Sequence, residues 1–184
     1  YLEIGSTGRY ISHLRKRLKV NGPTYLQNDI APSNGIGDLF ERGGFKKMGT
    51  FYHLDYEPLR EDQIPTDSLD VVTCFRGLHH CPVEKLDAYV ASIKRVLKPG
   101  GKFIMRDHDC HSPEMVTFAS LVHTVFNLGL KESWQYNTEE YRSFRYIEQW
   151  CTYLEDRGFE DTKQLILQKN DPSLNTLVCF INKK

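Results

Sequence analysis

Two rhythms of apolar residues run along this chain. Short, β-prone runs fall at residues 1–4, 24–28, 50–54, 69–75 and 102–106, and Leu69-Asp70-Val71-Val72-Thr73-Cys74-Phe75 reads as a strand buried on both faces. Between the runs, apolar positions return every three or four residues. Ile11, Leu14 and Leu18 share one face of a helix over residues 9–18, and Leu86, Tyr89, Val90, Ile93, Val96 and Leu97 share one face of a helix that starts near Pro82. Lys98-Pro99-Gly100-Gly101 stops that second helix. Residues 115–128 and 141–157 predict two further amphipathic helices, the latter closed by Gly158. Residues 164–168 and 176–182 alternate about Asn170-Asp171-Pro172-Ser173, a hairpin signal. Residues 36–47 are punctuated by glycine and predict no definite element.

Strands alternating with helix-length links predict an α/β fold, with a doubly wound, mostly parallel seven-stranded sheet. The closing hairpin adds an antiparallel strand near one edge, and right-handed crossovers put helices on both faces. Such a sheet opens its ligand crevice at the carboxyl ends of its strands. We treat residues 1–184 as one domain. The chain begins without methionine inside its first strand, which suits a portion of a longer protein.

Composition narrows the function. The 24 basic and 24 acidic residues balance to zero net charge, so no global field attracts nucleic acid or anionic lipid. The densest basic run, Arg9, Arg15, Lys16, Arg17 and Lys19, fits a solvated helix face. No apolar stretch approaches the roughly 20 residues of a membrane span. Five widely spaced cysteines form no Cys-x-x-Cys pair, which fits a reducing, cytoplasmic setting better than a disulfide or zinc framework.

Chemistry gathers at the strand ends. Glu3-Ile4-Gly5-Ser6-Thr7-Gly8 turns a strand into a helix, where glycines admit a ligand close to the backbone. Asp29, with Ile30 beside it, follows the second strand, and Asp55, between Leu54 and Tyr56, follows the third. A carboxylate at the second position suits the hydroxyls of a ribose; the plainer alternatives are an Asx turn at Asp29 and a loop cap at Asp55. Phe75-Arg76-Gly77-Leu78-His79-His80 follows the fourth strand, and Asp107-His108-Asp109-Cys110-His111 follows the fifth. Neighbouring fourth and fifth strands would bring His79, His80, Asp107, His108 and Asp109 together, with one of the two adjacent histidines serving as a buried packing residue. Residues 107–111 include metal-ligand types, but consecutive residues of an extended segment point alternately, so we expect no metal there. Met115, Phe118, Phe126, Trp134, Tyr136, Tyr141 and Phe144 could lid a pocket or simply pack on the sheet. Trp150, at helical spacing from Leu154, fits the core.

Taken together, the Gly-rich start, the Val71-Val72-Thr73-Cys74 to Leu78-His79-His80 segment and Arg95-Val96-Leu97-Lys98-Pro99-Gly100-Gly101 resemble a class I S-adenosylmethionine-dependent methyltransferase of the small-molecule "type 11" group. The resemblance covers nearly the whole chain and is most specific from Leu69 to Asp107. It departs in the first loop, where Gly5-Ser6-Thr7-Gly8 replaces the family's Gly-x-Gly-x-Gly. It implies that Glu3, Gly5, Ser6, Thr7, Gly8, Asp29, Ile30, Leu54, Asp55, Tyr56, Arg76, Gly77 and Leu78 hold S-adenosylmethionine, with S-adenosylhomocysteine as product. His80, His108 and Asp107 are then the acceptor-side catalytic candidates, and the partner is a small-molecule methyl acceptor. The shortened loop keeps open the alternative of an inactive methyltransferase-like binding module, and the first half alone would also suit a nicotinamide-dependent oxidoreductase.

Overall fold

The computed structural model describes the chain except residues 19, 44–48 and 76, and except the side chains of residues 12, 15, 16, 18 and 41. In chain order the elements are β1 (Leu2–Ile4), α1 (Ile11–Leu18), β2 (Tyr25–Asn28), α2 (Ile36–Arg42), β3 (Thr50–His53) and β4 (Leu69–Cys74). A short 3₁₀ turn (Leu78–His80) leads to α3 (Val83–Val96), β5 (Leu97–His108), α4 (Pro113–Gly129), α5 (Trp134–Glu139), α6 (Ile147–Glu155), β6 (Phe159–Leu167) and β7 (Asn175–Asn182). The sheet runs β3-β2-β1-β4-β5-β7-β6. β1 to β5 pair in parallel, and β7 is antiparallel to both its neighbours. This is the doubly wound architecture the sequence predicts.

Side-chain alternation explains the layers. Leu2, Ile4, Val72, Cys74, Phe103, Met105, Val178 and Phe180 point to one face, where they form the main core with Leu86, Tyr89, Val90, Ile93 and Val96 of α3 and Trp150 and Leu154 of α6. Tyr1, Leu26 and Ile11 of α1 form a smaller core on the other face. By the same alternation Asp107 follows Phe103 and Met105 onto the α3 side, at the carboxyl end of β5.

Some boundaries differ from the sequence reading for local reasons. The Pro99-Gly100-Gly101 segment is absorbed into β5: the register to β4 slips between Leu69 and Val71, and Gly100 takes φ 76°. The helix predicted over residues 141–157 begins only at Ile147, because Gln149 accepts from the Tyr146 N–H and Ser143 N–H is drawn away to the His79 carbonyl at 2.7 Å. The predicted 115–128 helix extends back to Pro113, with Ser112 accepting from Met115 N–H as its N-cap.

Candidate functional site

A cavity of about 950 Å³ opens along the carboxyl ends of the strands. One half is lined by Gly5 and Thr7 after β1, Asp29 and Ile30 after β2, and Leu54 and Tyr56 after β3. Gly5 and Gly8 hold φ of 74° and 98°, a left-handed turn that a side chain would strain. Ser6 Oγ closes this turn by accepting from Arg9 N–H at 3.1 Å. Glu3 stands behind the loop, not in the cavity. It is 1% exposed; one carboxylate oxygen accepts from Tyr10 N–H at 3.2 Å and the other from the Tyr1 hydroxyl at 3.1 Å. Burial pushes its carboxyl up. Glu3 thus fixes the start of α1 and the shape of the Gly loop.

At β2, Asp29 is exposed on the cavity rim; its Oδ1 accepts from Ile30 N–H at 3.0 Å, which leaves Oδ2 for a ligand. Asp55 caps its own loop by accepting from Glu57 N–H at 3.0 Å, and its side chain does not line the cavity. The three acidic strand ends therefore divide their work: Asp29 faces the cavity, Glu3 braces the loop from behind, and Asp55 shapes the β3 turn. Tyr56, at φ 58°, donates its hydroxyl to the Gly77 carbonyl at 2.9 Å and so ties the β3 and β4 loops together. Gly77 takes φ 115°, and a Cβ there would lie 3.1 Å from the Tyr56 hydroxyl oxygen. Leu78 is buried beneath. Arg76 lies outside the described residues.

The other half of the cavity is lined by histidines. His79, in the 3₁₀ turn, places Nδ1 2.7 Å from Asp107 Oδ1, and both side chains are buried, at 5% and 0% exposure. The same Oδ1 accepts from His108 N–H at 2.8 Å. Burial favours the neutral acid at Asp107, but the electrostatic attraction and hydrogen bond of His79 and the His108 N–H outweigh it and hold the carboxyl below its usual range. Asp107 does not line the cavity; it is the support of a residue that does. The Nε2 of His79 has no hydrogen-bond partner among the described residues.

His80 directs Nδ1 to the Tyr141 carbonyl at 3.0 Å, and burial, reinforced by His79, pushes its pKa down to about 4. His108 directs Nδ1 to the Ser173 carbonyl at 2.9 Å in the β6–β7 hairpin, and burial lowers it too. Asp109 turns away to accept from Ile147 N–H at the start of α6. His123 and Glu140 are among the cavity groups that escaped the sequence reading. His123 of α4 stands with Nε2 3.3 Å from His108 Nε2. Glu140 reaches the same space; burial favours its neutral form, but His123, His80, Arg142 and Asn127 outweigh it and hold it near 2. Of the aromatic residues, Phe126, Tyr136 and Tyr141 line the cavity and Phe144 stacks its ring 5.0 Å from that of His79, whereas Trp134 is largely exposed and Trp150 is fully buried in the core.

A family model described as a methyltransferase domain matches residues 2–105. The chain belongs to the methyltransferase domain family. It is a methyltransferase dependent on S-adenosylmethionine. Over 191 residues the methyltransferase is 27% identical to a highly reducing polyketide synthase of Gibberella zeae, with 96% of this chain and 7% of that protein covered. A second such synthase, from Pyricularia oryzae, is 26% identical over 172 residues, covering 86% of this chain and 6% of the synthase. The chain spans less than a tenth of the length of either relative. Among solved structures it resembles the 1,6-didemethyltoxoflavin-N1-methyltransferase of Burkholderia thailandensis with bound S-adenosylhomocysteine, at TM-score 0.63 and 14% identity, covering 100% of this chain and 71% of that one. It also resembles the CurJ carbon methyltransferase, at TM-score 0.61 and 18% identity, covering 100% and 48%.

The residues present fit the family's cofactor. A left-handed Gly turn, an exposed carboxylate with one oxygen unpaired among the described residues, and the Leu54 and Tyr56 side chains of the next loop share one cavity, which is what a ribose and an adenine need. Helices cover both sheet faces, and no helix among the described residues is long and apolar enough to cross a membrane.

Proposed function

We propose that the chain methylates an acidic carbon of a small acyl acceptor, with His79 as general base and Asp107 as its anchor. The observation that carries this reading is the buried His79–Asp107 pair: Nδ1 is held at 2.7 Å while Nε2 has no partner among the described residues. The carboxylate accepts from Nδ1–H and so leaves the Nε2 lone pair free for a proton. A neutral amine nitrogen attacks through its lone pair as it is, whereas a carbon acid must first lose its proton.

Bound S-adenosylmethionine supplies a methyl cation equivalent, and its sulfur keeps the electron pair of the broken bond. The protein's own work is then positioning and proton transfer. Gly5, Thr7, Asp29, Ile30, Leu54 and Tyr56 would hold the adenosine end, with Glu3, Asp55, Gly77 and Leu78 shaping the loops around it. His79 Nε2 takes the proton from the acceptor carbon, and Asp107 balances the imidazolium that results. His80 and His108, neutral at pH 7, offer Nε2 to acceptor oxygens through water or a proton on the acceptor. The relatives support an acyl acceptor: two are polyketide synthases, and one solved structure is a carbon methyltransferase.

The test is direct. The chain is incubated with S-adenosylmethionine and a β-ketoacyl thioester, and the product is read by mass spectrometry and by the position of the new methyl group. Methyl on the carbon between the two carbonyls, lost by about 10²-fold or more in His79→Gln, is the expected result. Methyl on oxygen or nitrogen, or full activity in His79→Gln, overturns the carbon-acid reading. Binding of S-adenosylhomocysteine with no turnover of any acceptor favours the inactive binding module instead.

A further inference from the structure

Four imidazoles meet on the inner wall of the cavity, more than one proton abstraction requires. The His79 ring lies 4.2 Å from that of His80, 5.0 Å from His123 and 5.7 Å from His108. His80 and His123 are 5.2 Å apart, and His108 and His123 5.4 Å. One ring nitrogen from each of His79, His80 and His123 lies within 4.8 Å of the other two.

The far side of these rings is already committed. Nδ1 faces Asp107 at His79, the Tyr141 carbonyl at His80 and the Ser173 carbonyl at His108. A carbonyl only accepts, so Nδ1 carries the proton at His80 and His108. Their Nε2 atoms are therefore bare lone pairs. Metal-binding histidines are oriented in this way, with the second nitrogen donating to a carboxylate or a carbonyl.

Two details fit lone pairs that converge on a cation. His108 Nε2 and His123 Nε2 are 3.3 Å apart, a spacing at which two lone pairs repel unless a cation or proton lies between them. Two nitrogens bound at 2.0–2.1 Å to a tetrahedral zinc lie roughly that far from each other. The His79 Nε2, on a side chain only 5% exposed, has no partner among the described residues. Glu140 stands behind the cluster, 3.7 Å from His80 Nδ1 and 3.9 Å from His123 Nδ1; Arg142, at 2.6 Å from Glu140, offsets part of its charge.

We propose that His79, His80 and His123, with His108 beside them, bind a divalent cation of the zinc type, and that the bound cation switches methyl transfer off. All-imidazole donors suit zinc, cobalt(II) or nickel over magnesium or calcium. The inhibitory half rests on the reading of His79 as base: a cation on Nε2 occupies the lone pair that the acceptor's proton needs. Cofactor binding, on the other side of the cavity, is left intact.

Cobalt(II) and zinc(II) serve as the probes on the whole chain after treatment with chelator. Cobalt is expected to give the visible absorption of a tetrahedral nitrogen site that saturates at one equivalent and is displaced by zinc. His123→Ala and His80→Ala are each expected to weaken cobalt binding by at least about tenfold, with S-adenosylhomocysteine binding by calorimetry showing that each variant is folded. Zinc is expected to abolish methyl transfer in the wild type, and His123→Ala to need about tenfold more zinc for the same fractional inhibition. A flat cobalt spectrum at millimolar metal, or equal affinity in wild type and both variants, overturns the site. Cobalt binding without zinc inhibition overturns the switch. His79→Gln with full metal-free activity overturns the base assignment alone, and the wild-type cobalt spectrum still decides the site.

Discussion

At the residue scale the decisive atom is Asp107 Oδ1, which accepts from both His79 and His108 N–H. Its partner Oδ2 is buried with no hydrogen bond among the described residues. Asparagine therefore separates charge from geometry: its carbonyl can keep both contacts while the negative charge is lost. Asp107→Asn removes only the stabilisation of the imidazolium that forms as the proton moves, a charge-assisted bond of about 1.5–3 kcal/mol. The expected outcome is a kcat reduced by roughly 10–10²-fold with KM little changed, measured by steady-state kinetics; a drop confined to KM would assign Asp107 to acceptor binding. Sequence reading found the participants but not their roles. Two adjacent histidines are equivalent on paper, and only the 3₁₀ turn after β4 decides that His79 faces inward to Asp107 while His80 turns to the Tyr141 carbonyl. The strand alternation of Phe103, Met105 and Asp107 was the available signal, since it puts the carboxylate on the α3 face with the turn.

At the scale of elements, the β6–β7 hairpin connects stability to the site. Asp171 accepts from Ser173 N–H at 2.9 Å, Ser173 Oγ–H at 2.6 Å and Asn175 Nδ2–H at 2.7 Å, and the Ser173 carbonyl then receives His108 Nδ1–H. Burial favours the neutral acid, but these three bonds outweigh it and hold Asp171 below its ordinary range. A depressed carboxyl contributes stability that is present above its unfolded pKa and is lost as pH falls through the folded value. Asp171→Ala is expected to cost about 1–2 kcal/mol at pH 7 and progressively less below pH ~4, by urea denaturation at a series of pH values; an equal cost at every pH would show that the bonds do not depend on the charge. Asn182, at the other end of β7, donates Nδ2–H to the Lys94, Leu97 and Lys98 carbonyls and closes the C-terminus of α3 onto the sheet. Asn182→Leu strands those carbonyls and is expected to lower stability by roughly 1–3 kcal/mol, with the same denaturation readout. The strands and α3 were legible because burial on two faces leaves a periodic trace. α2 and α5 were not: Gly35 and Gly37 interrupt the pattern at α2, and α5 is six mostly polar residues defined by the Ser133 cap accepting from Tyr136 N–H. His123 and Glu140 were illegible because their convergence on His80 depends on how α4 and α5 pack, which no spacing along the chain encodes.

At the scale of the whole molecule, the sheet order places two binding tasks on two halves of one edge. β1, β2 and β3 end in Gly5, Asp29 and Tyr56, while the 3₁₀ turn after β4, the end of β5 and the β7 hairpin carry His79, Asp107 and Ser173. The Tyr56 hydroxyl bound to the Gly77 carbonyl is the join between them. If each half does its own work, substitutions on opposite sides should separate cleanly. Asp29 is exposed, with one oxygen on Ile30 N–H, so Asp29→Ala should leave the fold intact. Its loss from a ribose contact, a hydrogen bond to a charged group of about 1.5–3 kcal/mol, should raise the dissociation constant of S-adenosylhomocysteine by roughly 10–10²-fold, while turnover at saturating cofactor stays close to wild type. His79→Gln should do the reverse, binding S-adenosylhomocysteine within about twofold of wild type while turnover collapses. Calorimetry and steady-state kinetics on both variants test the division, and a His79→Gln protein that also loses the cofactor would show that the Gly77 turn transmits strain across the join and that the halves act as one site.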